Sequence, residues 1–348
     1  MANRDIIVVG ASAGGVEALQ QFVAALPGDF PGAVFISVHF PERGMSVLPK
    51  ILSRAGQLVA DHARNGEPIV PGRIYVAPPD HHLLFDTRSL RVVRGPKENG
   101  NRPAIDPMFR SAAITFGSRV IGVLLTGNLD DGTSGLAAIK RHGGLTIVQD
   151  PADALFPSMP DSAIRHVAVD RIVPLRDVGA ALVALMAQPA PPNEYSLMPA
   201  DASENALAAG DLDTIGDPAH HPGNVSAFGC PDCGGVLWEI NDGTFTRFRC
   251  RVGHAWTGDA LLIQQSTTVD DALWIALRAL EESAALHRQI ARRHHGHGMK
   301  EFAERCVSQA EAAEARAAIV RQSLLREHGF TTADRDRSAP TLLPRARS

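Results

Sequence analysis

Between Asp5 and about Leu185, short runs of Val, Ile and Leu alternate with longer segments whose apolar residues recur every three or four positions. Runs that are apolar on both faces suit strands buried in a parallel sheet, and the longer segments suit amphipathic helices. The alternation predicts an α/β domain with a doubly wound, mostly parallel sheet over residues 1–186. The clearest predicted strands are Ile6 to Val9, Ala33 to Val38, Arg73 to Ala77, Val120 to Leu125 and Leu145 to Val148. Helices are expected at Gly15 to Ala25, Pro107 to Phe116 and Ser134 to His142.

After Ala187 the pattern breaks. Residues 187–227 are rich in Pro, Ala, Asp and Gly and read as a flexible linker without a core of its own. Residues 228–258 carry the cysteine motif. Two alanine-rich amphipathic stretches follow, Asp259 to His294 and Lys300 to Glu327, broken by HHGHGM; over residues 259–330 they predict an antiparallel helical hairpin. Residues 331–348 read as a disordered tail, and no solenoid-type repeat is visible.

Composition narrows the class. Hydrophobic residues at 45%, charged residues at 21% and a formal charge of -4 are ordinary for a soluble protein and give no field that would draw nucleic acid or an anionic membrane. No segment has the run of about 18 apolar residues that a membrane span needs, and the N-terminus lacks the pattern of a signal peptide. The four cysteines, Cys230, Cys233, Cys250 and Cys306, all lie after the predicted α/β domain, which argues against a disulfide framework and for a reducing cytoplasm.

The string GASAGG, Gly10 to Gly15, lies between the first predicted strand and the first helix, where backbone N–H groups converge on something negative. Two uses compete. A dinucleotide site would need GxGxxG and an acid after the second strand, and a P-loop would need a lysine; none of these is present. Gly10-Ala11-Ser12-Ala13-Gly14 does satisfy GxSxG, the turn that exposes a nucleophilic serine. A serine needs a base, and His39 ends the strand AVFISV, so both would reach the crevice at the C-terminal ends of parallel strands. The strand VIGVLL leads into TGNLDDGTSG, which brings Asp130 and Asp131 to the same edge; either could orient the imidazole, and either could cap the next helix. His62, His81, His82, His142 and His166 read as ordinary loop or surface histidines. The order Ser, His, Asp differs from that of α/β-hydrolases.

Cys230-Pro-Asp-Cys233 and Cys250-Arg-Val-Gly-His254 form two knuckles separated by a strand-like segment, VLWEINDGTFTRFR. Four soft ligands suit tetrahedral Zn²⁺, although the second knuckle has one residue more than a usual ribbon. With no ligand position left open, the zinc would be structural. Cys306 reads as a small buried thiol, and His294, His295 and His297 as a solvated turn.

Together these strings resemble the methylesterase domain of CheB-type chemotaxis proteins, from Asp5 to about Pro174. The resemblance is carried by IIVVGASAGGVEAL, VHFP, NGEPIVPGRIYVAPPDHHL, NRPAIDPMFRSAA, GVLLTGNLDDGTSGL and TIVQDPADALFPSMPDSAI, in that order. It implies Ser12 as nucleophile, His39 as base and Asp131, rather than Asp130, as the acid. It also implies hydrolysis of glutamyl γ-methyl esters on the cytoplasmic helices of chemoreceptors, with deamidation of receptor glutamines as a further activity and no cofactor for catalysis. Backbone N–H groups of Ala13 and Asn128 are the expected oxyanion donors; the family's TGMG string reads TGNL here, which puts the local loop shape in question. A receiver domain commonly precedes this esterase in the family. The chain starts at the catalytic strand, so control is expected from a separate response regulator or a chemosensory array protein, with the zinc module and hairpin for docking. Strings like CPDCGG and FRCRVGHA accompany some CheB-like proteins. The competing classes are a catalytically silent scaffold of a chemosensory array and a nucleotide-binding protein.

Overall fold

The structure is a computed structural model that describes residues 3–39, 46–192, 199–211, 223–241, 245–295 and 299–327. The chain forms two compact units, Met1–Leu262 and Ile263–Ser348.

The first unit is built on seven strands: β1 (Ile6–Ala11), β2 (Ala33–Val38), β3 (Val59–His62), β4 (Arg73–Val76), β7 (Val120–Leu124), β8 (Leu145–Gln149) and β9 (Arg171–Val173). Their order is β3-β4-β2-β1-β7-β8-β9, and every pairing is parallel. A separate hairpin pairs β5 (His82–Phe85) with β6 (Leu90–Val93). Because successive strand residues face opposite sides, Ile7, Val9, Ala11, Val34 and Ile36 pack on one face with helices α1 (Gly15–Ala24), α2 (Leu48–Ala55) and α6 (Leu175–Met186). Ile6, Val8, Ala33 and Phe35 pack on the other with α3 (Ile105–Phe116) and α4 (Thr133–Arg141), while α5 (Ser158–His166) follows β8. Both faces are covered, so the strands read as unbroken apolar runs. The strand order reverses beside β1, and that is where such a sheet opens a crevice.

The predicted strands and helices of this domain are present with ends shifted by no more than two residues. Of the expected linker 187–227, residues 193–198 and 212–222 lie outside the described residues, and the stretch between them is helical. Residues 199–208 form α7 (Pro199–Ala208), and its Glu204 is buried. Both carboxylate oxygens of Glu204 accept from Arg247 Nη1, at 2.8 and 2.9 Å, and Oε2 lies 3.4 Å from Arg110 Nη1. Glu98 joins the same cluster, accepting from Arg110 at 2.7 Å and Arg249 at 2.8 Å. Burial would raise both glutamates, but the arginines hold each below the usual carboxylate range.

The cysteine segment is a four-stranded antiparallel sheet: β10 (Asn224–Gly229), β11 (Val236–Asn241), β12 (Thr246–Cys250) and β13 (Ala255–Thr257). It belongs to the first unit. Residues 97–99 lie along β13, with Asn99 N–H donating to Ala255 C=O at 2.8 Å and Ala255 N–H to Lys97 C=O at 3.2 Å.

Helix α8 (Gly258–His295) crosses the boundary between the units, and α9 (Lys300–Glu327) belongs to the second. In that second unit Leu277, Ala284 and Ala291 recur every seven residues and bury against Ala303, Ala310, Ala317 and Leu324, which recur likewise. Sevenfold spacing keeps one seam facing the partner helix, and Arg288 pairs with both oxygens of Glu314 across it. Cys306 is buried beside Ala291 and Ala303, as a small apolar thiol should be. Pro41, His297 and the segment 331–348 lie outside the described residues.

Breaking a buried ion pair from one side costs about 3–5 kcal/mol, because the stranded charge stays buried. Glu204→Ala is therefore expected to destabilise the first unit by about that amount in urea unfolding. Loss of under roughly 0.5 kcal/mol, the scale of an exposed site, would restore the linker description.

Candidate active site

Ser12 follows β1 directly, and the turn that carries it is fixed from two sides. Ser12 N–H donates to Thr126 C=O at 3.0 Å, and Gly14, in the left-handed region at φ 70°, starts α1. Gly127 closes the approach: a Cβ there would meet Met159 Sδ at 2.1 Å and Ser12 Cβ at 2.9 Å. The TG dipeptide after β7 is thus a steric requirement of the serine turn.

His39 follows β2, the neighbour of β1. Ser12 Oγ–H donates to His39 Nδ1 at 2.8 Å, and His39 Nε2–H donates to Asp131 Oδ2 at 2.6 Å. The imidazole is 14% exposed and the carboxylate 2%, so the relay opens to solvent at its serine end. Asp131 also accepts from Ile105 N–H at 2.7 Å, Asp106 N–H at 3.2 Å and Asn99 Nδ2 at 3.3 Å. Burial alone would raise this carboxyl. The His39 hydrogen bond, its charge and the two backbone donors outweigh burial and leave it below the usual range, hence ionised.

Two aspartates near this carboxylate do different work. Asp106 Oδ1 accepts from Gly132 N–H at 3.0 Å and Gly135 N–H at 2.6 Å, so Asp106 at the start of α3 caps α4, while Asp131 ahead of α4 caps α3. Burial, and then the charge of Asp131, push Asp106 well above the usual range. Asp130 caps no helix with its side chain: Oδ1 accepts from Thr257 Oγ1 of β13 at 2.7 Å. The expectation that one of the Asp130–Asp131 pair caps the following helix is corrected accordingly.

Among the described residues, the N–H groups of Ala13 and Asn128 donate to no acceptor, and both belong to the loops that flank Ser12. Leu129, where the TGMG string ends in glycine, takes φ 63°. That is an unfavourable conformation for a leucine. Its side chain packs against the apolar cluster of the cysteine module, which includes Leu237, Phe248 and Trp256.

His82 and His142 are buried, not surface residues. His82 Nε2–H donates to Pro96 C=O at 2.8 Å and Nδ1 accepts from Ala104 N–H at 3.3 Å, while burial pushes its pKa down and keeps it neutral. Among the described residues, His62 and His81 hydrogen-bond to backbone carbonyls, and His166 faces Phe245. None reaches Ser12. Sequence reasoning missed Asn99, Asp106 and Thr257. Asp106 was visible as an acid in a helix's first turn, but that position signals a cap for its own helix.

In the second cluster, Cys230 Sγ and Cys250 Sγ lie 3.7 and 3.6 Å from His254 Nδ1, and Cys233 Sγ lies 3.7 Å from Cys250 Sγ. All four ligand atoms fall within 4.8 Å of one another.

A doubly wound parallel sheet whose strand ends bring a serine, a histidine and an ionised aspartate into one hydrogen-bonded line has the architecture of a serine hydrolase. Residues 7–182 match the family model described as CheB methylesterase, about half of the chain, and the chain belongs to that family. It is 41% identical over 184 residues to protein-glutamate methylesterase/protein-glutamine glutaminase 5 of Anaeromyxobacter dehalogenans, covering 52% of this chain and 51% of that one. It is 38% identical over 187 residues to protein-glutamate methylesterase/protein-glutamine glutaminase 2 of Pseudomonas aeruginosa, covering 53% of each. The chain therefore spans about half the length of these relatives. The crystal structure of the Thermotoga maritima CheB methylesterase catalytic domain superposes with a TM-score of 0.51 at 31% identity, over 53% of this chain and 100% of that one. The nucleotide-binding alternative for GASAGG is set aside by this membership.

Burial is the main cause that pushes the Asp130 carboxyl up to about 6. Between about 4 and that value the folded chain keeps a proton that the unfolded chain has released, so stability falls as pH rises through this window. Asp130→Asn keeps an acceptor for Thr257 and removes the titration. Its melting temperature is expected to match the wild type near pH 4 and exceed it at pH 8; a variant less stable at pH 8 contradicts this.

Proposed function

We propose that the chain is a protein-glutamate methylesterase, and also a protein-glutamine glutaminase, acting in the cytoplasm on the cytoplasmic helices of methylated chemoreceptors. The observation that carries this reading is the unbroken line Ser12–His39–Asp131 in a member of the CheB methylesterase family. The names of its relatives state both activities.

In this reading Ser12 Oγ attacks the γ-carbonyl carbon of a glutamyl methyl ester as His39 Nδ1 takes its proton. Asp131, anchoring Nε2–H, selects the tautomer that leaves Nδ1 bare and supports the imidazolium once formed. The N–H groups of Ala13 and Asn128 receive the oxyanion; one such preorganised donor is worth roughly 2.7–4 kcal/mol of barrier. Collapse expels methanol, which takes the proton from His39. Water, deprotonated by the same Nδ1, then opens the acyl-enzyme to free glutamate and Ser12. With glutamine the leaving group is ammonia. No cofactor enters these steps. A separate response regulator or chemosensory array protein is the controlling partner.

Cys230, Cys233, Cys250 and His254 would hold a structural Zn²⁺. Tetrahedral zinc with bonds near 2.3 Å to sulfur and 2.05 Å to nitrogen sets S···S at about 3.8 Å and S···N at about 3.6 Å. The observed 3.7 Å between Cys233 and Cys250, and 3.6 and 3.7 Å to His254, match. The hydrogen bond between Cys230 and Cys250 pushes the two thiols apart, Cys230 below and Cys250 above the usual range. Four protein ligands would leave no position for a reactive water, so an ion held there would stabilise the fold and supply no chemistry.

Methanol release from methylated receptor fragments tests the assignment. Ser12→Ala is expected to lose on the order of 10⁶ in kcat, and Asp131→Asn about 10⁴ because the tautomer is wrong. Wild-type turnover that survives Ser12→Ala would reject it.

A further inference from the structure

The cysteine module reaches the candidate site at three points. Thr257, at the end of β13, donates through Oγ1 to Asp130 at 2.7 Å and through its N–H to Asn99 Oδ1 at 2.9 Å. Asn99 in turn donates through Nδ2 to Asp131 Oδ1. Leu129, one residue ahead of this aspartate pair, is pegged into the module's own apolar core at a backbone angle that leucine disfavours. All these side chains except Leu129 are buried, as is the Glu98–Arg249 pair beneath them. Thr257 lies three residues after His254, on the strand that leaves the second knuckle.

A carboxylate that accepts four bonds is oriented by all four donors, and one of them, Asn99, is itself held by β13. The loop 126–132 is gripped by the module at Leu129 and Asp130, the two residues immediately before Asp131. Nothing in the catalytic chemistry requires such contacts. A linker-tethered docking module would leave the loop free of them.

We propose that the metal-binding module is a positioning element of the active site: through Thr257, Asn99 and Leu129 it holds the 126–132 loop so that Asp131 meets His39 Nε2, and metal loading sets the activity of the serine. This rests on the reading of Ser12, His39 and Asp131 as a hydrolytic relay. Asn99, Thr257 and Leu129 touch no reacting atom and act only through Asp131 and its loop.

The test uses the full chain with Thr257→Val, Thr257→Ser, Asn99→Ala, Leu129→Gly and Ser12→Ala. Three quantities are read: the rate at which a fluorophosphonate labels Ser12, the downfield proton resonance of the short His39–Asp131 hydrogen bond, and zinc content with melting temperature. Thr257→Val, Asn99→Ala and Leu129→Gly are expected to slow labelling at least tenfold and to shift or broaden the resonance, with zinc retained and folding intact. Thr257→Ser restores both. Chelating the metal from the wild type lowers labelling in step with zinc released. Labelling within twofold of wild type and an unmoved resonance in all three variants would overturn the proposal. If the wild type is not labelled at Ser12, the hydrolytic reading fails, and the resonance still decides: moved by the variants, the positioning role stands; unmoved, it falls.

Discussion

Everything at this site depends on where one buried carboxylate sits. Asp131 accepts from His39, from two backbone N–H groups at the head of α3 and from Asn99, donors contributed by three separate stretches of chain. A charge this deep would neutralise itself if left bare. Satisfied on all sides it stays ionised and fixes the imidazole. Asp106 completes the arrangement by capping α4 in return, so that α3 and α4 are locked to each other through the acid and its neighbour. The two carboxyls are driven in opposite directions by their surroundings: burial and the adjacent charge raise Asp106, and hydrogen bonds lower Asp131. One is suited to structure and the other to catalysis.

A second buried electrostatic cluster joins the cysteine sheet and α7 to the catalytic sheet. Glu98 and Glu204 face Arg110, Arg247 and Arg249, and only the mutual pairing makes burial of five charges tolerable. Apolar packing could have supplied comparable stability without direction. Ion pairs of this kind fix orientation as well, which suits a module that must meet the 126–132 loop in one register.

The parallel sheet was legible because strands covered on both faces are written as continuous Val, Ile and Leu, and strand ends then located Ser12 and His39. Spacing could not choose between Asp130 and Asp131; the family resemblance chose Asp131, whose Oδ2 lies 2.6 Å from His39 Nε2, while Asp130 turns to Thr257. The cluster of three cysteines and His254 was legible as two knuckles, whereas the surface their module shares with the catalytic loop was not. What escaped was long-range and ionic. Helix α7 lies in a stretch whose composition suggests a linker, and its one decisive residue, Glu204, meets an arginine 43 residues downstream. Leu129 looked like a departure that put a loop in doubt; it is the residue that spends backbone strain to join the loop to the module.

In the proposed reaction, acyl transfer passes through Ser12. Rapid-quench mass spectrometry of the full chain mixed with a methylated chemoreceptor fragment measures this directly. The account predicts a transient glutamyl ester on the peptide containing Ser12, absent in Ser12→Ala. Turnover with no adduct, or an adduct on another residue, would contradict it.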